Sequence, residues 1–370
     1  MKQHNFSAGP SILPQPVFQQ AAAAVLDFDN MGLSILEISH RSPQFTAVME
    51  ESVSLVRELL GLDAQYEVMF LSGGASTQFF MTAMNLLHPG ERAYYLDTGT
   101  WSNKAIKEAT RFGDIQVLAS SKDEQYTFIP KGVKVPADGR YLHITSNNTV
   151  YGTQYHAWPE SPVPLVVDMS SDIFSRERDL SNVGMLYAGA QKNMGPAGTT
   201  LVVVRKDMLR DHGGDLPTML NYHTHIAKQS MFNTPPVFPI YVSMLNMRWL
   251  REQGGVAAMG QRNAAKAELL YACIDRNPLY LGIVQQDDRS MMNPVFRLAD
   301  ESLTNAFLKR CDEAGIVGIK GHRSVGGFRA SMYNAMELDS VRVLVEVMDS
   351  FANEQGYGSD AVRGVQEAYR

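Results

Sequence analysis

Residues 187–198 read "YAGAQKNMGPAG", which sets Lys192 between a short apolar run and a loop of Gly, Pro and Ala. Nearly every other lysine of the chain stands in polar, surface-like sequence. Other polar residues follow apolar runs in the same way. Asp168 ends "PLVVDMSS", the most buried-looking of these runs. "SGGAST" at 72–77 reads as a strand–turn–helix junction, Trp101 follows a run in "DTGTWSNKA", and Thr149 ends another in "SNNTVYGTQ". Each has a plain reading when taken alone. A lysine can snorkel to solvent, an aspartate can cap a helix, a tryptophan can pack in a core, and many turns resemble "SGGAST".

Together they suit one kind of chemistry. A lysine drawn out of water is a nucleophilic amine able to form a Schiff base with an aldehyde. Pyridoxal 5'-phosphate is such an aldehyde. It also needs a carboxylate for its ring nitrogen, donors for its phosphate and a ring to stack on. Asp168 is the candidate carboxylate and Trp101 the candidate stacking ring. The glycines of "SGGAST" let backbone N–H groups approach a phosphate at a helix N-terminus.

A second constellation is basic. "EISHRSP" and "GHRSVGGFRAS" supply His40, Arg41, His322, Arg323 and Arg329. In a chain of net charge −6, such a set would make a local anion pocket if the two segments converge. The planar guanidinium suits carboxylate and phosphate. Solvated loop arginines are the plainer alternative for either segment alone. "NYHTHIAK" has a His-x-His spacing, but it reads as a loop with no third ligand nearby, so no metal site is expected. The 20 methionines read as core filler.

These residues need a scaffold. At 370 residues, 45% hydrophobic and 19% charged, the chain is long enough for two domains. From about Tyr66 to Arg205 short apolar runs alternate with helical stretches: "YEVMFLSGG", "RAYYLDTG", "IQVLAS", "YLHITSNN", "PLVVDMSS", "MLYAGA" and "TTLVVVR". Continuous apolar runs between helices predict an α/β domain with a mostly parallel sheet, whose ligands bind beyond the strand ends. The last third reads as a smaller α/β domain. "SLTNAFLKRCDEAG" predicts a helix capped by Ser302 and stopped by Gly315, and "LDSVRVLVEVMDSFANEQG" predicts a second helix. "NPVFRLA" and "GGFRASMY" read as strands. The expected division is 15–255 and 256–370, with segment 1–14 joining the second unit and a long helix near "REQGGVAAMG" bridging the two.

Excluded classes follow from composition. The acidic balance argues against general nucleic-acid or anionic-membrane binding. Cys273 and Cys311 make no disulfide framework, no apolar run is long enough to span a bilayer, and "MKQHNFSAGPSILP" lacks the apolar core of a signal peptide. A cytoplasmic protein is expected.

The chain resembles the class V aminotransferases of PLP fold type I, and within them the phosphoserine aminotransferases. The motifs "NFSAGPSILP", "EISHRS", "FLSGGASTQF", "AGAQKNMGPAG", "MFNTPP" and "GHRSVGGFRASMYNA" carry the resemblance across almost the whole chain. It implies that Lys192 is the Schiff-base lysine, that Asp168 pairs with the ring nitrogen, that Trp101 stacks on the ring and that Thr149 bonds near the ring oxygen. It implies that Ala75, Ser76 and Gln191 hold the cofactor phosphate, and that Asn233 and Thr234 reach it from the neighbouring subunit of a homodimer. Arg329 would grip the substrate α-carboxylate. His322 and Arg323 would meet the distal phosphate or carboxylate, with His40 and Arg41 joining them across the dimer interface. The implied reaction is reversible amino transfer from glutamate to 3-phosphohydroxypyruvate, giving O-phosphoserine and 2-oxoglutarate in serine biosynthesis. The homologous 4-phosphohydroxythreonine of pyridoxine biosynthesis is a second implied substrate. Some members carry a phosphate-binding arginine where this chain has Ser76. A cysteine desulfurase is disfavoured because both cysteines read as helical. An alanine–glyoxylate transaminase is disfavoured because it needs no distal-anion pocket. A nucleotide-binding α/β protein using "SGGAST" would lack the visible absorbance of a pyridoxal imine.

Overall fold

The computed structural model describes residues 2–357. Met1 of the expected 1–14 segment and residues 358–370 of the expected 256–370 unit lie outside the described residues.

Beyond a two-residue strand β1 (His4–Asn5) the chain forms helices α1 (Gln15–Leu26) and α2 (Pro43–Leu60). Local chemistry fixes the ends of α2. The Ser42 hydroxyl accepts from Phe45 N (3.3 Å), Pro43 sits at the first helical position, and Gly61 closes the helix in the left-handed region at φ 63°. His40 and Arg41 are thereby held just ahead of that cap. Strands and helices then alternate: β2 (Tyr66–Leu71), α3 (Gly74–Leu86), β3 (Arg92–Asp97), α4 (Thr100–Ala109), β4 (Asp114–Ser120), β5 (Leu142–Thr145), β6 (Leu165–Asp168), β7 (Val183–Gly189) and β8 (Thr200–Arg205).

These seven strands make one sheet in the order β2-β8-β7-β6-β5-β3-β4. All pairs are parallel except those of β8, which runs against both β7 and β2. The central strands β5, β6 and β7 are buried along their whole length, which explains their unbroken apolar sequences. Side chains alternate between two cores. Val183, Leu186 and Ala188 of β7 join the layer of α1, α2 and α6 (Val237–Glu252), while Met185 and Tyr187 join that of α3 and α4. "NYHTHIAK", expected as a loop, instead forms the short helix α5 (Tyr222–Ala227), because the Asn221 side chain caps it by accepting from His223 N. Its two histidines are bonded through Nε2 to the main-chain carbonyls of Arg210 and Met219. Among the described residues there is no cluster of three or more potential metal ligands.

The 22-residue helix α7 (Gly255–Arg276) leads into a second core. Here β9 (Tyr280–Gly282), β10 (Val295–Leu298) and β12 (Phe328–Arg329) form an antiparallel sheet in the order β12-β10-β9. They pack with α8 (Thr304–Glu313) and α9 (Leu338–Glu354), while β11 (Ile316–Val317) pairs in parallel with β1. Phe6, directly after β1, is fully buried in this second core with Phe296, Phe307 and Phe328. Ser302 is not the cap of α8. A 3-10 turn over residues 301–303 precedes that helix, and Asp300 caps the turn by accepting from Ser302 N. Cys273 and Cys311 are buried and unpaired in α7 and α8. No helix among the described residues is long and apolar enough to cross a membrane.

Candidate active site

The C-terminal ends of the parallel strands open into a cavity of about 440 Å³. Its lining includes Gly73, Gly74, Ala75, Ser76, Trp101, Asp168, Gln191 and Lys192. The turn from β2 into α3 brings backbone N–H groups of the first helical turn to one end. Gly73 makes that turn possible. Its φ is 102°, and a Cβ there would fall 2.0 Å from Thr77 Oγ1.

Lys192 lies three residues beyond β7. Its Nζ donates to Thr149 Oγ1 (2.7 Å) and stands 5.6 Å from the Trp101 ring centroid. Burial pushes the amine from its ordinary 10.5 down to about 8; nearby Asp168 opposes that shift and Arg329 adds to it. Its main chain is held from afar. Ser11 Oγ donates to the Lys192 carbonyl (2.5 Å), and Ser11 N donates to the Gln191 carbonyl (3.1 Å). Gly9 lets this segment pass close, since a Cβ there would stand 3.3 Å from Lys192 Cγ. Next along, Asn193 Oδ1 accepts from Asn334 N (2.9 Å), and Asn246 Nδ2 donates to the carbonyls of Asn193 and Met194.

Asp168 is buried at the end of β6. Ser170 clasps its Oδ1 with both backbone N–H (3.0 Å) and hydroxyl (2.6 Å), leaving Oδ2 with no bond from the described residues. Burial raises the Asp168 pKa, while the Ser170 bonds and Lys192 pull it back. Thr149 sits four residues past the end of β5, in the following loop rather than in the strand. Its carbonyl accepts from Arg329 Nη1 (3.3 Å), which ties β12 of the second core to this cavity. Burial lowers the pKa of the Arg329 guanidinium.

Three polar atoms of the lining, Trp101 Nε1, Thr145 Oγ1 and Thr199 Oγ1, are buried without a hydrogen-bond partner. A free Asp168 oxygen, an amine whose pKa burial lowers, an indole face and a helix N-terminus surround the same space. This donor set fits pyridoxal phosphate: a cation for Asp168, an aldehyde for Lys192, an anion for the α3 N-terminus.

The other expected residues are placed differently. His322 and Arg323 are exposed in the loop before β12, with His322 Nδ1 2.7 Å from Ser324 Oγ. Arg297 Nη2 supports this loop through the Val325 carbonyl (2.9 Å). Asn233 and Thr234 are exposed, and Asn233 lines a smaller cavity with Ser72, Gly73 and Thr77. His40 is half-buried and Arg41 exposed, and neither lines the Lys192 cavity. Sequence reading missed Ser170, Ser11, Asn193 and Thr145. Ser170 had a signal, being the i+2 hydroxyl that turns back on an aspartate; Ser11 had none, standing 181 residues from Lys192. The exception to the polar context of the other lysines is Lys266 of α7. It is 1% exposed and donates to the carbonyls of Met332 (3.1 Å) and Tyr333 (2.8 Å).

The class-V aminotransferase family matches residues 3–344 of the chain. A protein of Flavobacterium johnsoniae named phosphoserine aminotransferase is 56% identical over 355 residues, covering 96% of this chain and 100% of its own length. Among solved structures, the phosphoserine aminotransferase of Bacillus circulans subsp. alkalophilus superposes with a TM-score of 0.93 at 46% identity, over 96% of this chain and 99% of that one. The PLP-bound phosphoserine aminotransferase of Trichomonas vaginalis gives 0.89 at 34% identity, over 94% of this chain and 99% of that one. With that cavity at its strand ends and this similarity along its length, the chain belongs to the class-V aminotransferase family, in the branch of the phosphoserine aminotransferases.

Proposed function

We propose that this cavity transfers an amino group between glutamate and 3-phosphohydroxypyruvate, giving O-phosphoserine and 2-oxoglutarate, and that it also accepts 4-phosphohydroxythreonine. The observation that carries this reading is the meeting of Lys192 and Asp168 at one cavity, with Arg329 tied to it through the Thr149 carbonyl and the Thr149 hydroxyl bonded to Lys192. Pyridoxal phosphate is the cofactor, and when bound it supplies an aldehyde that condenses with amines and a ring that withdraws electrons from the substrate α-carbon. The α3 N-terminus, with Ala75, Ser76 and Gln191, would hold its phosphate. Trp101 would cover one ring face, Thr149 would bond near the ring oxygen, and Asp168 Oδ2 would pair with the ring nitrogen.

Within that arrangement Lys192 Nζ takes the proton from the substrate Cα and returns it one position away, a role suited to a base whose pKa lies near neutrality. Asp168, whose pKa burial raises, would be held anionic by a cation paired with its open oxygen. Arg329 orients the α-carboxylate from the second core. His322 and Arg323 meet the distal group, so one pocket serves a phosphate in one half-reaction and a carboxylate in the other.

The working unit is a homodimer with shared sites. Support comes from exposed apolar side chains at Phe18, Leu26, Met31, Leu33, Leu36 and Phe232, and from the absence of His40, Arg41, Asn233 and Thr234 from their own cavity's lining. The domain division is 15–255 and 256–370, with 1–14 joined to the second unit; β1–β11 pairing and the burial of Phe6 support it. The two buried unpaired cysteines suit a reducing cytoplasm. The test is the holoenzyme with glutamate and 3-phosphohydroxypyruvate, read by phosphoserine formation. Turnover no better than with pyruvate as acceptor would refute the substrate assignment. Mixing Lys192→Ala subunits with Asn233→Ala/Thr234→Ala subunits tests the shared site. Activity above either parent supports it, and no gain despite confirmed subunit exchange rejects it.

A further inference from the structure

Trp101 has two amines at its ring. Lys192 Nζ is 5.6 Å from the indole centroid, and Lys104 Nζ, one turn further along α4, is 4.9 Å from it. Lys104 is exposed. Its helical neighbour Glu108, at the spacing that would make an ion pair, is turned instead to Arg111 (3.8 Å). Lys104 therefore keeps its charge uncompensated among the described residues, beside a ring that lines the cavity.

The charge around it is of one sign. Burial first, then Arg329, Arg323 and Lys104, hold the His322 imidazole below its ordinary pKa, and no carboxylate among the described residues opposes them. Three of these groups belong to the segment 322–329 of the second unit, whereas Lys104 comes from α4 of the first. Gathering four basic side chains without an acid costs free energy through mutual repulsion, and an anion between them relieves it. Trp101 lines the Lys192 cavity, so Lys104 brings its charge up against a wall of that cavity.

We propose that Lys104 is a further substrate-binding residue, whose ammonium joins His322 and Arg323 in receiving the substrate's distal anion and favours a phosphate over a carboxylate. A doubly charged phosphate gains more from an added point charge than a carboxylate does, so Lys104 acts on selectivity between the two half-reactions. This rests on the reading of the cavity as an amino-transfer site with its distal pocket at His322 and Arg323.

The experiment replaces Lys104 in the holoenzyme by Met, which keeps the stem against Trp101, by Arg and by Glu. kcat/KM is read for phosphoserine, glutamate and alanine, together with the inhibition constant of inorganic phosphate. Lys104→Met should lower kcat/KM for phosphoserine about tenfold, mainly through KM, and that for glutamate about threefold, with the smallest change for alanine. Phosphate inhibition should weaken in step with the phosphoserine loss. Lys104→Arg should restore most of it, and Lys104→Glu should exceed the Met variant. Equal losses for all three substrates would make Lys104 a support for Trp101 and overturn the proposal, as would no loss at all. Arg323→Leu run alongside separates the two claims. If Arg323→Leu loses phosphoserine selectively and Lys104→Met does not, Lys104 alone is reassigned. If neither discriminates among the substrates, the distal-anion pocket itself falls.

Discussion

At the floor of the cavity, Asp168 is clasped twice by Ser170, Lys192 is bonded to Thr149, and the Lys192 backbone is pinned by Ser11. At what the proposed function makes the rim, His322 and Arg323 ride an exposed loop braced by Arg297 at the Val325 carbonyl, and the Lys104 amine bonds to none of the described residues. Under the proposed function the floor is prearranged for proton transfer, where a small displacement is costly. Under the same reading the rim charges, which form no ion pair among the described residues, are free to close on either a phosphate or a carboxylate. The proposed function thus assigns fixed chemistry to the cavity and adjustable selection to the basic groups near it.

Removing floor residues should therefore damage every substrate alike, and the largest effect should come from Lys192→Ala. Turnover should fall by at least about 10⁴-fold, with loss of visible absorbance in the reconstituted protein. A variant keeping the absorbance and near-normal turnover would break the comparison at its root. Asp168→Asn should retain cofactor but lose about 10²–10³-fold in kcat for phosphoserine and glutamate together. A rate within a few-fold of wild type would reduce Asp168 to a partner for the Ser170 turn.

Arg329 spans floor and rim, because its Nη1 bonds the Thr149 carbonyl while its charge reaches His322. Arg329→Leu should cost roughly 10–100-fold in kcat/KM for both phosphoserine and glutamate, whereas Arg323→Leu should cost phosphoserine more than alanine. Identical profiles for the two variants would erase the distinction between floor and rim.

A pH experiment sharpens the floor. The Lys192 amine is pushed down to about 8, and only the neutral amine attacks an aldehyde. Cofactor-free protein should capture pyridoxal phosphate about tenfold faster per pH unit up to about 8, then level off. Continued steepening to pH 10 would mean that the amine is not depressed.

The smallest expected effect lies behind the rim, at Lys266. Burial pushes this amine from 10.5 to about 7. Below about 7 it is protonated in both states. From there to about 10.5 the unfolded chain holds the extra proton, so stability climbs with pH across that window. In Lys266→Met the melting temperature should climb less between pH 7 and 9.5, by a few degrees. Parallel curves for the two proteins would show that Lys266 is not titrating there.

The floor was legible in sequence and the rim only in part. Asp168 and Lys192 follow apolar runs that can only be buried strands, and a charge after such a run needs a reason. The sheet and its order of strands and helices were readable for the same cause. The α5 helix was missed because a single Asn221 cap outweighed the loop-like composition. Ser302 was misassigned because Asp300, two residues earlier, competes for the same turn. Lys266 escaped notice because its partners are main-chain carbonyls some 66 residues away. At the rim, His322 and Arg323 were visible as residue types, but Lys104 was not. Its meaning comes from packing against Trp101 and from the approach of a segment more than two hundred residues later.

The segment from β1 to Ser11 has a mechanical consequence. Its near end is hydrogen-bonded into the second core at Ile316 and Val317, and its far end grips the carbonyl of Lys192. It is built as a tie rod: a tug on the second unit along this line is delivered to the backbone of Lys192 rather than absorbed in a slack linker.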